Sequence, residues 1–228
     1  MTRSPTLTPN NLANPDPQSQ PTQHMVLPHV SWSTYQALLT DLGDGRSTRL
    51  VYDRGILEII MSSNIHEINK HLFERIIAAL TEEFELPIRG VGSVTFDRED
   101  LQKGAEPDAG FYIQNAAQVR GKKIDLAIDP PPDLIIEVDI HSSSSRRFKI
   151  YQDLGVAEVW RATQTAIQFY QLVTEGSASE YVRCDHSPTF PLVTVDIVGQ
   201  WLEQAATEQD DNAMVRALRH WVRAQRLA

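Results

Sequence analysis

The chain has a single cysteine, Cys184, among its 228 residues, which excludes an intrachain disulfide and a cysteine-based zinc cluster. It has no apolar run near the roughly 20 residues that a membrane-spanning helix needs, so no membrane segment is expected. No basic stretch followed by an apolar one opens the sequence, so no signal peptide is read and the cytoplasm is the expected compartment. No internal repeat is visible. Positive charge is also scarce: 21 Lys and Arg face 30 Asp and Glu, for a net charge of −9. That balance speaks against tight, non-specific binding to a polyanion, which is held chiefly through Lys and Arg. Basic residues gather at Arg120-Gly121-Lys122-Lys123, at Arg146-Arg147-Phe148-Lys149, and along Arg216, Arg219, Arg223 and Arg226. Each set fits a solvated face more readily than a polyanion contact.

What remains is the composition of an ordinary globular chain, 41% hydrophobic and 22% charged, long enough for one domain with a substantial core. Residues 1–28 stand apart. They hold Pro5, Pro9, Pro15, Pro17, Pro21 and Pro28 among Asn, Gln, Ser and Thr, with almost no apolar periodicity. Such a segment cannot bury enough surface to offset its ordering entropy, and a disordered N-terminal tail is expected, leaving 29–228 as the domain.

From Ser31 the pattern is α/β. Ser31 or Ser33 can cap a short helix through Leu39, ending near Gly43. Strands at 49–52 and 57–61 flank Asp53-Arg54-Gly55, a hairpin signal. Ile65, Ile68, Leu72, Ile76 and Leu80 repeat at helical spacing and predict a helix over about 64–84. Strands are predicted near 91–96, 109–113, 134–140, 158–161 and 166–172. A helix over about 144–154 is closed by Gly155, and a last amphipathic helix runs from Asp211 to Arg226. Helices flanking a mixed central sheet fit this order.

Two strands carry carboxylates. Glu106-Pro107-Asp108 leads into an apolar run, and Leu134-Ile135-Ile136 leads into Glu137. Burying a bare carboxylate costs several kcal/mol unless something pairs with it. A divalent cation is one such partner, because oxygen ligands from adjacent strands suit Mg²⁺ or Mn²⁺ and could activate water against a phosphodiester. An ion pair at the strand ends is the other. Asp133 follows Pro132 and reads equally well as a turn carboxylate, outside the primary site.

Three runs together resemble a known family: Gly104 to Asp108, Pro130 to Ile140, and Ile150 to Arg161. They look like the putative restriction-endonuclease family common in cyanobacteria, a branch of the PD-(D/E)XK nuclease superfamily, over roughly Ser31 to the C-terminus. The resemblance implies a restriction-endonuclease-like core, hydrolysis of DNA phosphodiester bonds with Mg²⁺ or Mn²⁺, and Asp108 and Glu137 as metal ligands. It also makes His66-Glu67 supporting candidates, although His66 on a helix's apolar edge also fits a structural role. Glu106, read from its own place before Pro107, could orient a metal ligand from behind or simply be solvated. One departure matters. The superfamily's lysine, two positions after the acidic residue, is here Asp139. Related families are thought to move the basic group to the following helix, where Arg147 and Lys149 lie. Arg147 matches the basic position better, whereas the ammonium of Lys149 is chemically better suited to activating water. The expected activity is that of a metal-dependent endonuclease. The alternative is a catalytically inactive nuclease fold that binds nucleic acid or protein. A homo-oligomer is left open.

Overall fold

The computed structural model describes residues 23–43, 48–61, 64–92, 94–139 and 145–226. The first elements in chain order are β1 (Gln23–Leu27), α1 (Trp32–Leu42), β2 (Thr48–Asp53), β3 (Ile56–Met61), α2 (Asn64–Glu83), β4 (Arg89–Gly92), β5 (Phe96–Arg98) and β6 (Lys103–Ala105). Then follow β7 (Ala109–Tyr112), β8 (Leu134–Asp139), α3 (Ser145–Leu154), β9 (Glu158–Thr163), β10 (Ile167–Glu175), β11 (Ala178–Cys184), α4 (Val195–Glu208) and α5 (Asp211–Arg226).

The strands form two sheets. A five-stranded antiparallel sheet has the order β1-β3-β2-β6-β5, and a six-stranded sheet the order β11-β10-β9-β8-β7-β4. Within the larger sheet only β8 and β9 run parallel, joined by α3, which makes it a mixed sheet of the expected α/β kind. The hairpin lies in the smaller sheet: Asp53 pairs with Ile56 across Arg54 and Gly55, both at positive φ (45° and 92°), as a primed two-residue turn requires. Ser31 caps α1 by accepting the Thr34 N–H at 3.1 Å.

Burial on both faces explains the apolar run of β8. Leu134, Ile136 and Val138 belong to one core with Phe73, Ile76 and Ile77 of α2 and Leu202, Met214 and Leu218 of α4 and α5. Ile135 faces the other way and belongs to a second core with Ile150, Tyr151 and Leu154 of α3 and Val51, Ile60 and Ala105 of the smaller sheet. By alternation, Glu137 and Asp139 share that second face. The arginines of α5 do more than solvate a surface. Arg219 and Arg223 donate to the Glu83 carboxylate and Arg226 to its carbonyl, clasping α5 to the end of α2.

Several boundaries differ from the sequence reading. Of the expected tail, residues 1–22 lie outside the described residues, but Gln23–Leu27 is a strand paired with β3. The strand expected over 91–96 is split: β4 belongs to the larger sheet and β5 to the smaller, because the chain crosses between sheets after Gly92 (φ 56°). β1, β6, β11 and α4 were not anticipated.

Candidate active site

The register of β7 against β8 pairs Ala109 with Ile136, so one step further along it sets Asp108 opposite Glu137. Directly opposed residues of an antiparallel pair project to the same face, here the face covered by α3. Both carboxylates are fully buried. Asp108 Oδ2 accepts the Val138 N–H at 2.6 Å, which fixes the carboxylate at the junction of the two strands.

Each carboxylate has an internal cation. Arg49, from β2, lays its guanidinium against Asp108 Oδ1. Arg147, on α3 and 3% exposed, donates through Nε to Glu137 Oε2 at 2.8 Å and through Nη2 to Asp139 Oδ1 at 3.0 Å. The Tyr151 hydroxyl, one helical turn on, donates to Glu137 Oε1. Arg161 of β9, which pairs with Glu137 in the parallel register, donates to Asp139 Oδ2 at 2.7 Å. Burial depresses the Arg147 guanidinium, but Glu137, Tyr151 and Asp139 more than offset it and its pKa is raised. Burial, then the Glu137 charge, raises the Tyr151 phenol well above its ordinary value, so it stays a donor. Burial followed by the Arg147 charge lowers the pKa of Arg49.

His66 lies at the first turn of α2 with Nε2 3.0 Å from both Arg49 Nη2 and Asp108 Oδ2. These two contacts demand opposite roles of one nitrogen. Arg49 can only donate, so Nε2 accepts, and Nδ1–H turns to Glu67 Oε1 at 3.3 Å. Burial, the largest effect, lowers the ring's pKa and agrees with a neutral imidazole. The His66 hydrogen bond holds the Glu67 carboxyl down at about 2.

The sequence candidates therefore divide. Asp108, Glu137, Arg147, His66 and Glu67 come together. Glu106 is buried nearby and fully engaged, accepting from Leu50 N at 2.8 Å and Thr95 Oγ1 at 2.5 Å, so its role is to hold the chain leading to Asp108. Lys149 stands apart: its exposed ammonium pairs with Asp153 at 3.4 Å along the same helix. Arg49, Tyr151 and Arg161 complete the cluster and were not singled out from sequence. Tyr151 carried a signal, since it sits four residues after Arg147 on one helix face.

The donor chemistry suits a hard cation. Asp108 Oδ1 is buried, and the partner it meets is the Arg49 guanidinium. Among the described residues no three His, Cys, Asp or Glu side chains are grouped to hold a metal. Two carboxylates are nevertheless a usual protein share for Mg²⁺, which keeps water and substrate phosphate oxygens in its remaining positions. No described helix is long and apolar enough to cross a membrane. The profile of a family described as putative restriction endonuclease (Uma2) matches residues 32–222. No curated protein matches the chain.

Proposed function

Since the chain belongs to the Uma2 putative restriction endonuclease family, we propose that it is a metal-dependent endonuclease hydrolysing DNA phosphodiester bonds, with Asp108 and Glu137 as the metal-holding carboxylates. The observation that carries this reading is the pair itself: two buried carboxylates set opposite each other across β7 and β8. When bound, Mg²⁺ or Mn²⁺ supplies Lewis acidity toward the phosphoryl group and lowers the pKa of coordinated water. The chain's own residues prepare that event. Arg147 and Tyr151 hold the Glu137 carboxylate in one orientation, and the Val138 N–H does so for Asp108. Arg49 sets a positive charge beside Asp108, suited to a phosphate oxygen that gains charge in the transition state. Asp139 replaces the superfamily lysine and works structurally, as the bridge between Arg147 and Arg161. Arg147 takes the basic place on the helix, and its role is to fix Glu137 rather than to carry a proton, because a guanidinium stays charged.

A second reading follows from the same cluster. Asp108, Glu137 and Asp139 are matched internally by Arg49, Arg147 and Arg161, so the site is neutralised without a metal. That arrangement suits an inactive nuclease fold acting as a binding module for nucleic acid or protein. Cleavage of single-stranded, duplex and supercoiled DNA with Mg²⁺, Mn²⁺ or chelator separates the two readings. The nuclease predicts metal-dependent cleavage lost in Asp108→Asn and Glu137→Gln. Metal-independent cleavage, or cleavage intact in both variants, rejects this site.

A further inference from the structure

Beside the carboxylate cluster a groove of about 910 Å³ opens between α1, the start of β2 and β4. Its charged lining is Arg49, Arg89 and Lys123 against Asp97 and Glu106. The two acids are engaged by the protein: Gln36 Nε2 donates to Asp97 at 2.6 Å, and Glu106 accepts from Leu50 and Thr95. Arg89 is less fully matched. It donates through Nη2 to the Lys122 carbonyl at 2.8 Å, which anchors its guanidinium, while its Nη1 is buried and meets no acceptor among the described residues. A buried N–H left without an acceptor costs about 1–3 kcal/mol, a cost that an incoming anion removes. Lys123 is exposed. Arg49 belongs to both places, lining the groove while its guanidinium lies against Asp108. Among the described residues no aromatic side chain lines the groove, so base stacking is not what it offers. Its volume lies in the upper part of the ligand-pocket range of about 300–1,000 Å³.

We infer that this groove holds the sugar–phosphate backbone of one nucleic-acid strand, with Arg89 and Lys123 as positioning residues that grip phosphates and lead the strand past Arg49 to Asp108 and Glu137. The inference rests on the nuclease reading, and it explains how a chain of net charge −9 engages a polyanion: by a local set of cations rather than by overall charge. Phosphate contacts of this kind position the strand and carry no sequence information.

The test is binding of a fluorescein-labelled single-stranded DNA oligonucleotide, read by anisotropy in chelator and in Ca²⁺ across a salt series, together with cleavage kinetics in Mg²⁺. Arg89→Gln and Lys123→Gln should each weaken binding roughly three- to tenfold and lower the log–log salt slope by about 0.7 per lost phosphate contact. KM should rise by a similar factor with kcat unchanged, whereas a merely structural role for Arg89 would lower kcat or the melting temperature. Lys123→Gln, on an exposed residue, guards against a folding effect, and Arg216→Gln on α5 should bind as wild type does. The same oligonucleotide with uncharged methylphosphonate linkages should bind wild type and both groove variants equally weakly. Wild-type affinity and salt slope in both groove variants would overturn the groove assignment while leaving any metal-dependent cleavage standing. Groove-dependent binding without cleavage would uphold the groove and reject the nuclease. Absence of both binding and cleavage in wild type would reject both.

Discussion

Removing the Arg147 guanidinium would strand two buried carboxylates. Glu137 is fully buried and Asp139 is 5% exposed, and both meet Arg147 at hydrogen-bonding distance, 2.8 and 3.0 Å. Arg147→Met keeps much of the stem's volume and deletes the charge. Breaking a buried ion pair from one side costs about 3–5 kcal/mol, because the partner is left uncompensated. Two supports survive, the Tyr151 hydroxyl on Glu137 and Arg161 on Asp139, which sets the expected loss near the lower end, about 3 kcal/mol. In urea unfolding followed by tryptophan fluorescence, a slope of about 2–3 kcal/mol/M converts this into a midpoint lower by roughly 1–1.5 M. The double variant Arg147→Met/Glu137→Gln removes one of the two stranded charges, leaving Asp139 with Arg161, and should recover about half of the loss, a clear departure from additivity. Mg²⁺ should also raise the midpoint of the single variant more than that of wild type, because a cation near Glu137 replaces the missing charge. A single-variant loss under about 1 kcal/mol, or a double variant as unstable as the sum of its parts, would refute the coupling of these charges.

Lys149→Ala should leave cleavage unchanged and stability within about 0.5 kcal/mol, since its pair with Asp153 is exposed; a large fall in turnover would restore Lys149 as the basic group. Gly104→Ala should destabilise by about 1–3 kcal/mol in the same urea assay, because a Cβ there runs into the hydroxyl of the fully buried Tyr35 and approaches its Cζ to 2.9 Å; a neutral result would mean that the α1 ring can shift. Burial raises the Glu158 carboxyl, the largest effect, against hydrogen bonds from Thr189, Ser187 and Trp160. A folded-state pKa above the unfolded one contributes stability that is fully present below the unfolded value and lost as pH rises through the folded value. The stability difference between wild type and Glu158→Gln should therefore move in favour of wild type as pH falls from neutrality toward about 4.3, and a flat difference would reject the raised pKa. Asp139→Lys, which restores the superfamily lysine in sequence, should unfold the site rather than activate it, because the new ammonium meets Arg147 and Arg161; soluble, active protein would contradict the structural role given to Asp139.

Legibility followed how local the determinant was. α5 and α2 were readable because an apolar stripe at helical spacing needs only neighbouring residues, and β8 because double-sided burial writes a continuous apolar run. β1 and β11 were not readable because they are edge strands with mostly half-buried or exposed side chains and little apolar contrast. α4 did carry a signal, Thr194 as cap and Val198, Trp201, Leu202 and Ala205 at helical spacing. That the two carboxylates lie side by side, with a basic residue of α3 beside them, was legible through their motif. Their cations were not: Arg49 reaches Asp108 from another sheet and Arg161 reaches Asp139 across a parallel pairing, and neither relation leaves a mark on the residues nearby. Lys149 looked as eligible as Arg147 until the helix phase was known, since two residues along a helix turn a side chain to a different face.

The clasp of α5 on α2 also has a consequence in time. Arg223 meets Glu83 across a sequence separation of 140 residues, and Met214 and Leu218 of α5 share one core with Phe73 and Ile76 of α2. At roughly 5–20 residues per second of synthesis, α2 waits on the order of ten seconds or more before its covering helix exists. During that interval its apolar stripe is available to other molecules, while the hairpin and the β8–α3–β9 unit, built from nearby segments, can already pair. The nascent chain is therefore exposed to aggregation from the emergence of α2 until that of α5, and a holdase that captures apolar helices would find its target on α2 during that interval.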